Sequence, residues 1–405
     1  MKKLYFLIFI LLFSFSSIHI ALGQWSDISY LTNKNLRSVF FINTLTGFSV
    51  GDSGIVIKTV NGGTSWTPIS VSINNNLKSI FFIDSQNGFI SGDNGTILKT
   101  TNGGLLWSVK QSGTILNLNS IYFINSTLGY AVGDQGIILK TIDSGESWIE
   151  IPTPTVYILN AVSFSKINNN IGFAVGIYGT IVKTSDGGNS WALQSSNTFN
   201  TLNGLDLLND NIIYAAGNNG IILKTENVGL NWSSLTHYTN ENLKGIRCYE
   251  NGKCFVVGNK GLILRSVGDG TWTTQNTDSS KALNYIFMLD SNTYFTTGNK
   301  GFALKTINGG GTNSIYDTQI QNNNFVIYPN PANNVLNIKN ILENNIQDDI
   351  IIEIINFNGQ KVFSKIANNF NGFSFSIILN AYSKGIYFIQ FRGSKNIETH
   401  KLIIE

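Results

Sequence analysis

Hydrophobic residues along this chain come in short bursts, and turn-forming residues separate the bursts. In residues 77–107, LKSIFFIDSQNGFISGDNGTILKTTNGGLLW, four strand-type segments are legible: LKSIFFI, GFISG, TILKT and a last one that begins at Trp107. DSQN, GDNG and TNGG lie between them, rich in residues that favour turns. Related units begin at Leu36, Leu118, Leu159, Leu202, Leu243 and Leu283, which makes seven in all. The glycine after the second strand marks the period: Gly54, Gly95, Gly136, Gly179, Gly220, Gly261 and Gly301, in steps of 41, 41, 43, 41, 41 and 40 residues.

Four strands in a repeat of about 40 residues predict a blade of a β-propeller. The tryptophans count the blades. Trp25, Trp66, Trp107, Trp148, Trp191, Trp232 and Trp272 each stand eleven residues before the next leucine of the series. Trp25 therefore begins a fourth strand with no blade before it. The seventh unit ends in KTINGGG and lacks its own Trp strand. QWSDIS (24–29) aligns with SWTPIS (65–70) and fills that gap, so the start of the chain is expected to close the last blade and remove open sheet edges. The recurring TVNGGTSW turn (59–66) links the third strand to the fourth. Its Asn or Asp accepts backbone N–H groups, its glycine takes positive φ, and its Trp covers a neighbouring blade.

The repeat stops at residue 312. TNSIYDTQIQNNN (312–324) reads as a polar linker, and residues 325–405 hold alternating strand segments with NG and KG turns, enough for a small β-sandwich. The expected fold is thus all-β, a seven-bladed propeller over 24–311 followed by a small C-terminal sandwich.

Composition adds the compartment. Residues 1–23 carry Lys2 and Lys3, an apolar run from Leu4 to Phe13, and Ala21 and Gly23 before Gln24, the layout of a secretory signal. The run is too short to span a bilayer, which takes about 20 residues, so no transmembrane segment is expected. Of the formal charge of +3, the leader holds two lysines, and 24–320 is neutral with 18 basic and 18 acidic residues. That excludes an electrostatic footprint for nucleic acid. Cys248 and Cys254 flank Glu250–Asn251–Gly252, and a hairpin loop there would set them opposite each other, forming a disulfide after export.

The turn motif resembles the Asp-box or BNR repeat, S/T-x-D/N-x-G-x-S/T-W. Asn227-Val228-Gly229 and Gly268-Asp269-Gly270 depart from it. The whole unit, with GDNGTILKTTNGGxxW, looks more like the propeller repeats of the photosystem II stability and assembly factor family, and is similar to those of sortilin ectodomains and xyloglucan-active glycoside hydrolases. The resemblance implies the fold; Asp boxes lie away from the active site in the enzymes that carry them. The C-terminal segment resembles the type A sorting domain of the type IX secretion system of Bacteroidetes. The matching residues are Tyr328-Pro329-Asn330-Pro331, Leu336-x-Ile338, Asn358-Gly359-Gln360-x-Val362, Lys384-Gly385-Ile386-Tyr387 and Lys401-Leu402-Ile403-Ile404. This implies passage through the periplasm and across the outer membrane by the type IX machinery, then release or anchoring at the surface.

Catalytic chemistry has few candidates. His237 is the one histidine of the expected propeller, which leaves a Ser-His-Asp triad or a zinc site poorly supplied. No metal or cofactor is expected. A sialidase-like arginine triad would have to use Arg37, Arg247 and Arg265, and Arg265 merely replaces the lysine that six other units carry on the third strand. That row of cations is expected to lie along the blades and pair locally. Asp52, Asp93 and Asp134 share one turn in successive blades, giving an acidic arc opposite Lys260 and Lys300. The loops before each blade share that face, and Tyr157, Tyr178 and Tyr238 offer aromatic contacts there. The expected function is non-catalytic binding of a surface protein or polysaccharide; the alternative is a glycoside hydrolase with carboxylates on this face.

Overall fold

The computed structural model describes residues 25–235, 239–249, 252–266, 271–275, 277, 280–310, 325–340, 350–356, 360–367, 374–392 and 397–405. The expected leader, the linker, the Gly268-Asp269-Gly270 turn, His237 and Tyr238 lie outside them. The chain divides into two compact units, Met1–Ser314 and Ile315–Glu405.

The first unit holds seven four-stranded antiparallel sheets among its described residues. In the first of them Leu36–Phe41, Gly47–Gly51, Val56–Thr59 and Thr67–Pro68 pair in that order. The inner strands of the others begin at Leu77, Leu118, Leu159, Leu202, Leu243 and Leu283, and all seven leucines are buried. Every residue of each second strand is buried as well, from Gly47–Gly51 through Tyr294–Gly298. A strand covered on both faces by neighbouring sheets has no solvent side, so its sequence is apolar or small throughout. Rings join the sheets: Phe48 stacks on Phe82 with centroids 4.7 Å apart, and Phe89 on Phe123 at 4.0 Å.

The last sheet is completed from the start of the chain. Ser26–Asp27 pairs with Ala303–Thr306, with Ser26 opposite Lys305 and Asp27 opposite Leu304. Trp25 sits edge-on to Phe255 of the sixth sheet, 5.9 Å between centroids.

The recurring turn is held by a small network. Thr59 Oγ1 accepts the Gly63 N–H at 2.9 Å and donates to Asn61 Oδ1 at 2.9 Å, while Asn61 Oδ1 accepts the Ser65 N–H at 2.9 Å. The second glycine of the turn is required twice over. Gly104 has φ +74°, and a Cβ there would lie 2.4 Å from the Phe48 ring of the preceding sheet. The tryptophan that follows then meets that ring edge-on, Trp107 to Phe48 at 6.4 Å and to Phe82 of its own sheet at 5.8 Å. Of the third-strand lysines, Lys224 pairs locally with Glu226 at 2.6 Å as expected, while others reach across to the next sheet. Lys58 Nζ lies 5.1 Å from the Phe48 ring centre and donates to Gly103 O of the next sheet's turn at 2.9 Å. Lys99 repeats this to Ser144 O at 2.8 Å and adds Glu146, and Lys305 reaches Gly62 O at 3.2 Å across the closure.

The second unit has two sheets around one core. One orders Phe325–Tyr328, Val335–Asn340 and Ser374–Ile378; the other orders Lys361–Ala367, Ile350–Asn356, Gly385–Arg392 and Ile397–Ile404. Leu336, Ile338, Ile352, Ile354, Ile389 and Leu402 fill the space between them, each fully buried. Asn330 Oδ1 accepts the Ile403 N–H at 2.9 Å, which ties the Tyr-Pro-Asn-Pro turn to the last strand.

Candidate functional site

The turn between the second and third strands sets one face of the first unit. Its first residue is Asp52, Asp93 or Asp134 in the first three sheets, and Ile177, Asn218, Asn259 or Asn299 in the rest. The aspartates do not bond to their own turns as lone turn residues would. They reach the second residue of the inner strand. Asp52 Oδ1 lies 2.7 Å from Arg37 Nε, and Asp93 Oδ1 lies 2.7 Å from Lys78 Nζ. Asp134 accepts from Asn117 at 2.8 Å and from Asn119 at 3.4 Å. Two later sheets make a neutral version, Asn203 to Asn218 Oδ1 and Asn284 to Asn299 Oδ1, both at 2.9 Å. The acidic arc is therefore present, and its carboxylates face cations and amides rather than one another. On the opposite side of the ring Lys260 pairs with Glu241 at 2.7 Å.

Those second residues line a central cavity of about 410 Å³. Arg37, Lys78 and Lys244 supply the charge, and Asn119, Asn160, Asn203 and Asn284 the amides. The amides also lock the ring. Each donates its N–H to the first leucine carbonyl of the following sheet, Asn119 to Leu159, Asn160 to Leu202, Asn203 to Leu243, and Asn284 to Leu36 across the closure, at 2.7–2.9 Å. Lys244 is the exception. Its sheet presents Asn259 instead of a carboxylate, and its ammonium has no hydrogen-bond or ion-pair partner among the described residues. Burial, and then the Arg37 charge, lower its pKa. At the inner end of the cavity the Arg247 guanidinium lies over the Tyr285 ring, 4.9 Å from its centre, hydrogen-bonds the Tyr285 hydroxyl, and sits 3.9 Å from Asp206. Burial raises the Asp206 pKa, and the Arg247 charge opposes that.

A second, shallower cavity lies on the same face at the fourth sheet, between the loops that enter and leave it. Tyr157 and Tyr178 meet edge-on there with centroids 5.1 Å apart, and they are 47% and 61% exposed. Phe199, 90% exposed, and Leu193 join them. The remaining lining is Thr, Ser, Asn, Gln, Pro, Val and Gly, with no charged side chain. Tyr178 adopts φ +54°, the left-handed conformation that Ser53, Asn94, Gln135, Asn219, Lys260 and Lys300 take at the matching places. A bulky aromatic residue is out of place in that conformation on steric grounds alone. Two of the three tyrosines singled out in the sequence thus come together; Tyr238 lies outside the described residues. Phe199 and Leu193 carry no sequence signal of their own, because an exposed apolar residue in a loop is ordinary until its neighbours are known. The cavity ring had a faint signal: a polar residue follows the first leucine of every unit.

Cys248 and Cys254 stand opposite each other in the hairpin register and are joined by a disulfide. No helix among the described residues is long and apolar enough to cross a membrane.

Comparison with known proteins follows the division into two units. Residues 64–156 and 148–245 match the family model of the photosynthesis system II assembly factor YCF48, and residues 326–405 match that of the secretion system C-terminal sorting domain. Among solved structures, YCF48 bound to D1 peptide superposes with a TM-score of 0.61 at 21% identity, covering 70% of this chain and 95% of that one. YCF48 from Cyanidioschyzon merolae gives 0.58 at 18% identity, covering 70% and 98%. The WD40 β-propeller domain of Doa1 gives 0.58 at 11%, covering 69% and 95%. None of the curated proteins matches. At these identities the likeness establishes the propeller fold. The sorting domain marks the protein for the type IX machinery and for secretion to the cell surface or beyond it.

Proposed function

We propose that this secreted propeller is a non-catalytic recognition protein, and that it binds a protein or polysaccharide through the face that carries Tyr157, Tyr178 and Phe199. In this reading residues 1–23 direct export to the periplasm, and the machinery recognises residues 325–405. The observation that carries the proposal is the exposed Tyr157–Tyr178 pair, 5.1 Å between centroids, set in an uncharged cavity beside Phe199. Aromatic faces with neutral hydroxyl and amide groups around them suit both sugar rings and peptide segments. A similar propeller has been solved with a peptide bound, which supports a protein partner by likeness of fold only.

The hydrolytic alternative needs two carboxylates about 5–10 Å apart across a cleft, one of them with a raised pKa. Asp52 and Asp93 each spend an oxygen on the cation of their own sheet, which favours binding over hydrolysis. The test is retention of purified protein on a panel of immobilised polysaccharides and surface-protein fractions, with reducing-end release measured alongside. Retention that drops about tenfold or more in Tyr178→Ala supports this face. Retention unchanged by that substitution moves the site elsewhere, and sugar release that disappears in Asp93→Asn replaces the binder with an enzyme.

A further inference from the structure

The central cavity has a chemistry of its own, separate from the aromatic face. Asn160, Asn203 and Asn284 use their amide N–H groups on the next sheet, at 2.9, 2.7 and 2.8 Å. Their side-chain oxygens accept nothing from the described residues. Lys244 stands between Asn203 and Asn284 in ring order, so an uncommitted cation is flanked by uncommitted acceptors.

The cation is not needed to build the ring. Four other sheets place asparagine at this position, where it closes an inter-sheet hydrogen bond that Lys244 does not make. Arg37 and Lys78 are each neutralised by an aspartate 2.7 Å away, whereas Lys244 faces Asn259 in its own sheet. A half-buried, uncompensated ammonium costs stability, because burial removes hydration that nothing replaces. Its placement at the wall of a solvent-reachable cavity supplies a reason for that cost.

We infer that the mouth of the central cavity binds a small polyhydroxylated anion, a mono- or disaccharide-sized sugar that bears a carboxylate or a phosphate, with Lys244 holding the anionic group. The sugar hydroxyls donate to the amide oxygens of Asn203, Asn284 and Asn160; inorganic phosphate, with one or two hydroxyls near neutral pH, cannot satisfy all three. A neutral sugar satisfies the acceptors and leaves Lys244 bare. A cavity of about 410 Å³ is within the range of small-ligand sites, roughly 300–1,000 Å³. Arg247 and Tyr285 bound its inner end, so an end group or a free sugar is accommodated there and not the middle of a polymer.

The test titrates the purified protein with galacturonate, digalacturonate, glucose 6-phosphate, galactose and inorganic phosphate by calorimetry. The expected result is saturable binding of at least one charged sugar, at least about tenfold tighter than galactose or inorganic phosphate, and weaker as salt is raised. The carboxylate and phosphate arms decide which anionic group the site takes. Lys244→Asn restores the residue used in four other sheets. It should lower affinity about tenfold or more while the melting temperature stays level or rises. Tyr178→Ala should leave this binding intact, which separates it from the aromatic face. Equal affinity in Lys244→Asn and wild type overturns the inference. So does the lack of saturable binding by every charged sugar, or galactose or inorganic phosphate binding as tightly as the best of them.

Discussion

Phe41 of the first sheet stacks on Phe295 of the seventh, ring centroids 3.4 Å apart and planes within 10°. The two residues belong to the first and last sheets of the ring, more than 250 positions apart in the chain. Both are fully buried. Phe295→Ala should destabilise the propeller by roughly 3–5 kcal/mol, the usual cost of emptying a buried phenylalanine site. Urea unfolding followed by tryptophan fluorescence measures it. A loss below about 1 kcal/mol would mean that the closure contributes little to stability.

The Cys248–Cys254 disulfide closes a short loop. In the chain-entropy picture such a loop stabilises by roughly 2 kcal/mol, so Cys248→Ala together with Cys254→Ala should cost about that much. Wild-type protein unfolded with and without reductant supplies the check, and the reductant should have no effect on the double variant.

Acid should act on the Asp-box turns. The Ser147 hydroxyl, the Ser147 N–H and the Thr141 hydroxyl hold the Asp143 carboxylate down to about 2. The Ser190 hydroxyl and N–H, with Thr184, hold Asp186 to about 2 in the same way. A carboxylate with a depressed folded-state pKa contributes stability that is fully present above its ordinary range near 4 and lost as pH falls toward about 2. Both side chains are exposed, so solvent screens the effect. Asp143→Asn with Asp186→Asn should flatten the dependence of the urea midpoint between pH 4 and 2, since Asn61 and Asn102 build the same turn without a charge. Midpoints that fall in parallel for variant and wild type would assign the acid response to other carboxylates.

Tyr178 trades stability for position. Asn94 and Asn219 hold the equivalent left-handed place at φ 55° and 57°, which asparagine tolerates better than tyrosine. Tyr178→Asn should raise stability by about 0.5–1 kcal/mol and weaken retention on whatever partner the face binds. Loss of stability in that variant would show that the Tyr157–Tyr178 contact outweighs the backbone strain.

Much of this protein was legible without coordinates because its determinants are local. The leucine that opens each inner strand, the glycine at the second turn and the tryptophan after the Asp box recur at a fixed period, since each sheet solves the same burial and turn problem within about 40 residues. The spacing from Trp25 to Leu36 likewise announced that the first strand completes the last sheet, and Ser26 does lie opposite Lys305. The site was decided at a longer range. Arg37, Lys78 and Lys244 meet around one cavity only because the ring closes, and a residue following a leucine says nothing of that alone. Whether a cation there is neutralised depends on a turn residue fifteen positions further on, Asp52 for Arg37 and Asn259 for Lys244. Phe199 joins Tyr157 and Tyr178 because loops from adjacent sheets converge on one face. Periodicity sets which residues are equivalent, whereas radial packing sets which of them touch, and only the tertiary structure holds the second.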